Sequence, residues 1–256
     1  MTEADLLAAL PSLVFALGLV LCRVGMVVML LPGLGEVEAP MMLRAGLALG
    51  VSLLLLPAVS PLIPNVPEGV AGPQMVAAEL LTGAALGWLA RLPALALGMA
   101  GALIATLLGL SSVVQPDPAL GGQSTALARL FGLAAPVLIL VSGLYTLPLS
   151  ALSGSYALVG PGGVLPPGDT AELFVTITSN SFALALQLSA PFLVAGVVWQ
   201  VAVGLLARIA PQLQAFAVAA PGQILGGLVL LGLLASRILG TWQGGVAASW
   251  AALPGS

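Results

Sequence analysis

Long apolar stretches separated by short segments rich in proline and glycine dominate the chain. The stretches span residues 6–31, 45–63, 75–114, 130–159, 173–207 and 213–235, with a weaker one at 238–253. The breaker-rich segments hold most of the acidic residues. Because no stretch alternates apolar and polar residues over the length of a strand, the pattern predicts an all-α, membrane-associated protein with six or seven hydrophobic segments and no convincing strand.

Several of these stretches are too long for a simple membrane span. About 20 residues suffice to cross the ~30 Å hydrocarbon core, whereas residues 75–114 would extend roughly 60 Å as one helix. This stretch contains Pro93, and residues 173–207 contain Pro191. Since proline removes a backbone donor and crowds the preceding turn, we expect the first stretch to break at Arg91–Pro93. The predicted fold is a set of broken hydrophobic helices and helical hairpins packed in an assembly.

The composition narrows the possible functions. Of 256 residues, 60% are hydrophobic and 6% charged, where soluble domains carry about 25% charged residues. A soluble enzyme is thereby excluded. The chain has no histidine and one cysteine, Cys22, so we expect no catalytic activity, no cofactor and no metal. All six positive charges are arginines, too few for a basic patch, and no nucleic-acid partner is expected.

Three charged residues fall inside apolar stretches, where an unpaired charge is costly. They are Arg23, Glu79 and Arg91. One interpretation is a polar pathway or proton relay; the other is pairing between helices or subunits, or helix ends that reach the interface. Glu79 stands nearly alone among acids within the stretches, which disfavours a proton-driven carrier. Four Gly-x-x-x-Gly pairs, which begin at Gly46, Gly83, Gly222 and Gly240, are about as many as chance supplies and individually carry no weight.

The segment 109–125 has two interpretations. It leaves an apolar helix at Gly109, passes small polar and apolar residues, turns at Pro116–Pro118 and re-enters a helix before Arg129. It is either an ordinary surface loop or an irregular, mildly apolar loop able to seal a channel.

An ordered set of motifs resembles a known family. The motifs are Arg23-Val-Gly, Pro32-Gly-Leu-Gly, Pro40-Met-Met-Leu-Arg44, Glu79 to Gly87, Gly109-Leu-Ser, Asp117-Pro118, Gln123-Ser-Thr, and Arg208 to Phe216 followed by Pro221. Together they resemble the FliR family of the flagellar export apparatus and its injectisome (SctT-like) relatives. One departure is Gly143-Leu144-Tyr145, where the family commonly has a Gly-His pair.

The resemblance implies a subunit of the flagellar type III export gate. Such a subunit forms a protein-conducting channel with FliP and FliQ, is contacted by FlhB and FlhA, and passes exported flagellar proteins. It would be a multi-pass protein of the bacterial inner membrane, in contact with lipid at the flagellar basal body. Residues 1–172 would form a FliP-like part containing the 109–125 loop, and residues 173–256 a FliQ-like hairpin with a tail. A stand-alone small-solute transporter and a purely structural membrane scaffold are the alternatives.

The resemblance also implies roles for individual residues. The plug that closes the gate would comprise Gly109, Leu110, Ser111, Ser112, Val113, Val114, Gln115, Pro116, Asp117 and Pro118. Contacts that hold the assembly together would involve Arg23, Arg44, Glu79, Arg129, Arg208, Pro211, Gln212, Phe216 and Pro221. Arg208 to Phe216 would form the tip of the FliQ-like hairpin, near the cytoplasmic entrance.

Overall fold

Helices account for most of the fold, as the apolar pattern predicts. The computed structural model describes residues 3–36, 38–63, 71–110, 114–117, 122–209 and 215–255. Within them, the α-helices are α1 (Glu3–Leu30), α2 (Met41–Val59), α3 (Ala71–Leu107), α4 (Ala126–Ser142), α5 (Thr146–Leu158), α6 (Pro167–Ile209) and α7 (Ala215–Trp250). A 3-10 turn, Ser60–Leu62, extends α2. The all-α fold class is confirmed.

The predicted break at Arg91–Pro93 is wrong, because α3 continues through Pro93 for 37 residues. Two indole groups donate hydrogen bonds to backbone carbonyls near the proline. Trp250 Nε1 donates to the Ala90 oxygen at 2.9 Å, and Trp242 Nε1 donates to the Pro93 oxygen at 3.3 Å. Neither carbonyl is the one that loses its donor at Pro93, which is the oxygen of Leu89 four residues earlier. The two hydrogen bonds therefore attach α3 to α7 beside the proline and do not replace the bond that the proline removes. Helix α6 likewise runs through Pro191 for 43 residues.

The chain does break between α4 and α5, which meet at a bend of 73°. The break lies at Gly143, not at Pro136 or Pro148 on either side. Gly143 has a φ of +74°, a left-handed conformation that glycine adopts without steric cost. Thr146 then begins α5 and donates its hydroxyl to the Gly143 oxygen at 2.8 Å. A bend of this kind produces the broken apolar segment expected over residues 130–159.

A short antiparallel hairpin corrects the expectation that the chain has no strand. Strand β1 (Val114–Asp117) pairs with strand β2 (Gly122–Thr125), with Val114 opposite Thr125 and Asp117 opposite Gly122. Four residues are too few to establish a two-residue periodicity in the sequence, which explains why the strands are not predicted. The hairpin lies within the 109–125 segment.

The helices form two compact units. The first unit comprises Met1–Leu92, Ile139–Ile177 and Ala247–Ser256; the second comprises Pro93–Leu138 and Thr178–Val246. The core of the first is built mainly of aliphatic side chains from α1, α2, α3 and α5, including Val20, Val24, Val28, Leu86 and Leu152. The predicted division at 172/173 falls within α6 and stays a prediction.

Within the described residues, five helices are long and apolar enough to cross a membrane, or six if the bent pair α4–α5 counts as one span. They differ in how far the chain itself covers them. In the most apolar part of α3, 56% of the residues are buried, compared with 11% in α6 and in α7. Valines such as Val194, Val197, Val198 and Val201 are more than half exposed along α6. These two helices therefore present large apolar surfaces to surroundings other than this chain.

Candidate functional site

A fully buried ion pair joins α1 to α3 in the first unit. Arg23 lies on the inner face of α1 and Glu79 near the start of α3, and both are 0% exposed. Arg23 Nε donates to Glu79 Oε2 at 2.7 Å, and Arg23 Nη2 donates to Glu79 Oε1 at 3.0 Å. This two-point contact is the strongest arrangement available to an arginine and a carboxylate. The sequence marks both residues as unusual but does not show that they are partners.

The remaining hydrogen-bonding capacity of the pair is directed at α5 and the turn that follows it. Arg23 Nη1 donates to Ser155 Oγ at 3.1 Å and to the Val159 oxygen at 3.2 Å. The backbone N–H of Gly162 donates to Glu79 Oε1 at 2.6 Å. The Arg23 guanidinium also lies 4.1 Å from the centre of the Tyr156 ring, a cation–π geometry. The two charged side chains therefore connect four parts of the first unit: α1, α3, α5 and the turn that follows α5.

The geometry bears on the two interpretations of these intramembrane charges. A buried ion pair offsets its desolvation cost only if the remaining donors and acceptors also find partners, and the contacts of Arg23 and Glu79 meet that condition. The arrangement is suited to holding helices in one register. It therefore favours pairing between helices over a proton relay. Contact of these two residues with other subunits stays a prediction.

Glycine makes the close approach of α1 and α3 possible. A β-carbon at Gly83 would lie 2.5 Å from the Arg23 backbone oxygen, and one at Gly87 would lie 2.7 Å from Leu30 Cβ. This Gly-x-x-x-Gly pair is therefore a helix contact. By contrast, a β-carbon at Gly46 or Gly50 on α2 would meet nothing within 4 Å.

The third intramembrane charge, Arg91, occupies a more open position. Its Nη1 donates to the Leu30 oxygen at 3.2 Å, and its Nη2 lies 3.6 Å from Glu36 Oε2. The side chains of Arg91 and Glu36 are 16% and 19% exposed. Glu36 also accepts a hydrogen bond from the Gly33 N–H at 3.3 Å. This pair closes the turn after α1 against α3.

The predicted plug residues begin at the end of α3, in the second unit. Gly109 and Leu110 follow the last helical turn, and Val114–Asp117 form β1. Ser111, Ser112, Val113 and Pro118 lie outside the described residues. Gln223 of α7 donates its side-chain amide to the Leu107 oxygen at 2.8 Å. The sequence analysis does not identify Gln223 as a site residue. The only sign of it in the sequence is a polar side chain inside an otherwise apolar helix.

The other predicted assembly residues are scattered over the two units. Arg44 is half-buried on α2, Arg129 is half-buried on α4, and Arg208 is exposed in the last turn of α6. Pro221 is exposed within α7, and Phe216 lies in its first turn. Pro211 and Gln212 lie outside the described residues. The roles of these residues in assembly stay predictions.

The described part of the chain contains no group of three or more histidine, cysteine, aspartate or glutamate side chains that could hold a metal ion. Cys22 is half-buried on α1 and is not in a disulfide.

Comparison with known proteins identifies the family. The profile described as "Bacterial export proteins, family 1" matches residues 14–248. The chain is 34% identical to the flagellar biosynthetic protein FliR of Caulobacter vibrioides over 230 residues, 90% of this chain and 92% of that protein. It is 30% identical to FliR of Pectobacterium carotovorum subsp. carotovorum over 210 residues, 75% of this chain and 74% of that one. It is 28% identical to FliR of Escherichia coli K12 over 218 residues, 84% of this chain and 82% of that one. The chain therefore belongs to the FliR family of bacterial export proteins.

Proposed function

We propose that this protein is a multi-pass subunit of the flagellar export apparatus, in the bacterial inner membrane at the basal body. It forms a protein-conducting gate with FliP and FliQ, is contacted by FlhB and FlhA, and passes exported flagellar proteins. It carries out no bond-making chemistry of its own. The observation that carries the proposal is the family match over residues 14–248, together with relatives named for flagellar biosynthesis that align over most of their length.

The exposed apolar surfaces of α6 and α7 support membership of a larger assembly. Large apolar patches on a protein surface mark contacts with membrane or with other proteins. On α6 the exposed side chains extend from Val175 to Ile209, which are 70% and 80% exposed. Helix α7 continues the pattern with Leu225 and Leu233, which are 65% and 73% exposed. Sister subunits and lipid would cover these faces.

The 109–125 loop is the proposed plug of the gate. A dry, mildly apolar constriction resists the passage of ions, and displacement of the loop would open the gate to a polypeptide. Deletion of residues 110–120 should raise ion conductance through membranes that contain the assembled gate. Co-purification with FliP and FliQ should remain unchanged, since the deletion leaves every helix intact. Unchanged conductance in an assembled complex would refute the plug assignment.

Complementation tests the function as a whole. The chain is expressed in a strain lacking its own FliR, and export of flagellar proteins into the medium is measured together with motility. We expect the wild-type chain to restore both and to co-purify with FliP and FliQ. An Arg208→Ala variant should lose co-purification and motility, whereas Arg237→Ala on α7 serves as a matched arginine control. If Arg208→Ala still supported both, its proposed role at the hairpin tip would be wrong.

The alternatives predict different results in the same strain. A purely structural scaffold would be needed for basal-body assembly but not for export once the basal body has formed. A stand-alone transporter would move a small solute when purified and placed alone in lipid vesicles. Either result would contradict the proposed gate.

A further inference from the structure

The end of α3 is closed by a specific backbone motif. The Leu110 N–H donates to the Ala105 oxygen at 2.8 Å, and the Gly109 N–H donates to the Thr106 oxygen at 3.2 Å. Gly109 between them has a φ of +74°. These two hydrogen bonds around a left-handed glycine constitute a Schellman motif. The motif sets the direction in which the chain leaves α3 and enters the 109–125 loop.

This motif leaves the carbonyl of Leu107 without a partner from its own helix turn. Carbonyl groups in the last turn of a helix must be satisfied by side chains, water or neighbouring structure. Gln223 of α7 supplies the donor, because its amide Nε2 lies 2.8 Å from the Leu107 oxygen. The side chain comes from 116 residues further along the chain. An orphan acceptor at the base of the loop is thereby satisfied by a helix that is distant in sequence.

Side-chain packing against α7 and α6 also fixes the last turn of α3. Leu108 is 5% exposed, and its side chain lies against Gly227, where a β-carbon would come 2.9 Å from Leu108 Cγ. Gly227 lies one helical turn after Gln223, so both face the same way along α7. On the other side, a β-carbon at Gly196 of α6 would lie 3.7 Å from Leu107 Cδ2.

From these contacts we infer that Gln223 is a positioning residue for the gate: it fixes the last turn of α3 and thereby the base of the 109–125 loop. This inference rests on the proposed function, in which that loop closes the channel. In this role Gln223 acts through the Leu107 carbonyl and the direction of the chain at Gly109.

A disulfide placed across the same contact measures the position of the turn directly. Cysteines replace Leu108 and Gly227 in a Cys22→Ser background, within the full chain co-expressed with FliP and FliQ. A sulfur at position 108 would take the place of Leu108 Cγ, 2.9 Å from a β-carbon at position 227. In this double-cysteine chain, called the parental chain below, the two cysteines should therefore form a disulfide rapidly. Cross-linking is measured as the fraction of cysteine that is protected from alkylation.

When Gln223→Met is added to the parental chain, the rate of cross-linking should fall about fivefold, the change in an equilibrium that the loss of one net hydrogen bond produces. Gln223→Lys keeps a donor of similar reach and should restore the parental rate. Gln243→Met serves as the matched control, since position 243 lies about 30 Å further along α7. In cysteine-free chains, Gln223→Met alone should also raise the ion conductance of the resting gate, relative to Gln223→Lys and Gln243→Met.

The cross-linking rate and the ion conductance together distinguish a failure of this inference from a failure of the proposed function on which it rests. If Gln223→Met matched the parental chain in cross-linking, or left conductance unchanged while deletion of 110–120 raised it, the inference would be overturned. If that deletion itself failed to raise conductance, the plug assignment would be wrong. In that case, slower cross-linking in Gln223→Met would still support the anchoring of α3.

Discussion

Arg23 on α1 and Glu79 on α3 form a two-point ion pair from which solvent is fully excluded. Their positions in the sequence are 56 residues apart, and each lies in an otherwise apolar segment. The pair also binds Ser155, the Val159 oxygen and the Gly162 N–H. Its main effect is to specify which helices meet, because an apolar contact alone would tolerate several registers.

Removal of one partner should be far more harmful than removal of both. Glu79→Ala leaves a buried guanidinium without its counter-charge, a change that typically costs about 3–5 kcal/mol. For a chain of this size we expect the melting temperature of the detergent-solubilised protein to fall by about 10 °C. The double variant Arg23→Met/Glu79→Leu should recover most of that loss, since well-packed apolar replacements of buried ion pairs are often neutral.

Glu172→Gln is the matched control for that experiment, because Glu172 is exposed on α6 and its replacement should change the melting temperature little. A double variant as unstable as Glu79→Ala would contradict the prediction. It would show that the hydrogen bonds to α5 and its following turn matter more than the charge balance.

The indole of Trp250 should contribute measurably to the stability of α3. Trp250→Phe keeps an aromatic ring but removes the donor to the Ala90 oxygen, which lies in the turn before Pro93. Loss of one such hydrogen bond costs about 1 kcal/mol, so the melting temperature should fall by about 3 °C. Trp88→Phe is the control, since Trp88 is 46% exposed on the same α3. Equal effects of the two substitutions would contradict a specific role for the hydrogen bond.

The first glycines of two Gly-x-x-x-Gly pairs, Gly83 and Gly46, should differ in how well they tolerate replacement by alanine. Gly83→Ala places a methyl group against the Arg23 backbone, and overpacking of this kind costs about 1–3 kcal/mol. Gly46→Ala meets open space and removes a residue that disfavours helix, so it should be neutral or stabilising in the isolated chain. Melting temperatures of the two variants provide the comparison. A tolerated Gly83→Ala would mean that α1 and α3 separate easily.

The Arg91–Glu36 pair should matter little by comparison. Its atoms are 3.6 Å apart and both side chains retain some exposure, so the contact is closer to a surface ion pair, worth about 0–1 kcal/mol. Glu36→Gln should therefore lower the melting temperature by no more than about 3 °C. The effect should shrink further as salt is added. A loss comparable to that of Glu79→Ala would contradict this ranking.

The sequence predicts the helical segments well because their apolar content is extreme, and it marks Arg23 and Glu79 because charges are rare among them. It does not show where segments break. The proline predicts a break at Pro93, but α3 runs through that residue, with the indoles of Trp250 and Trp242 bound to carbonyl oxygens beside it, and the bend occurs at Gly143 instead. Such contacts depend on residues distant in the chain, and the local sequence pattern contains no record of them. Gln223 was missed for the same reason.

The two indole hydrogen bonds to α3 can form only late in synthesis of the protein. Ala90 precedes its donor Trp250 by 160 residues, and Pro93 precedes its donor Trp242 by 149 residues. At about 5–20 residues per second, the ribosome needs roughly 7–30 s to make that interval. During that time α3 is already synthesised but lacks both indoles. Insertion of α7 therefore finishes a helix made much earlier, which couples maturation of the amino-terminal half to the arrival of the carboxyl-terminal one.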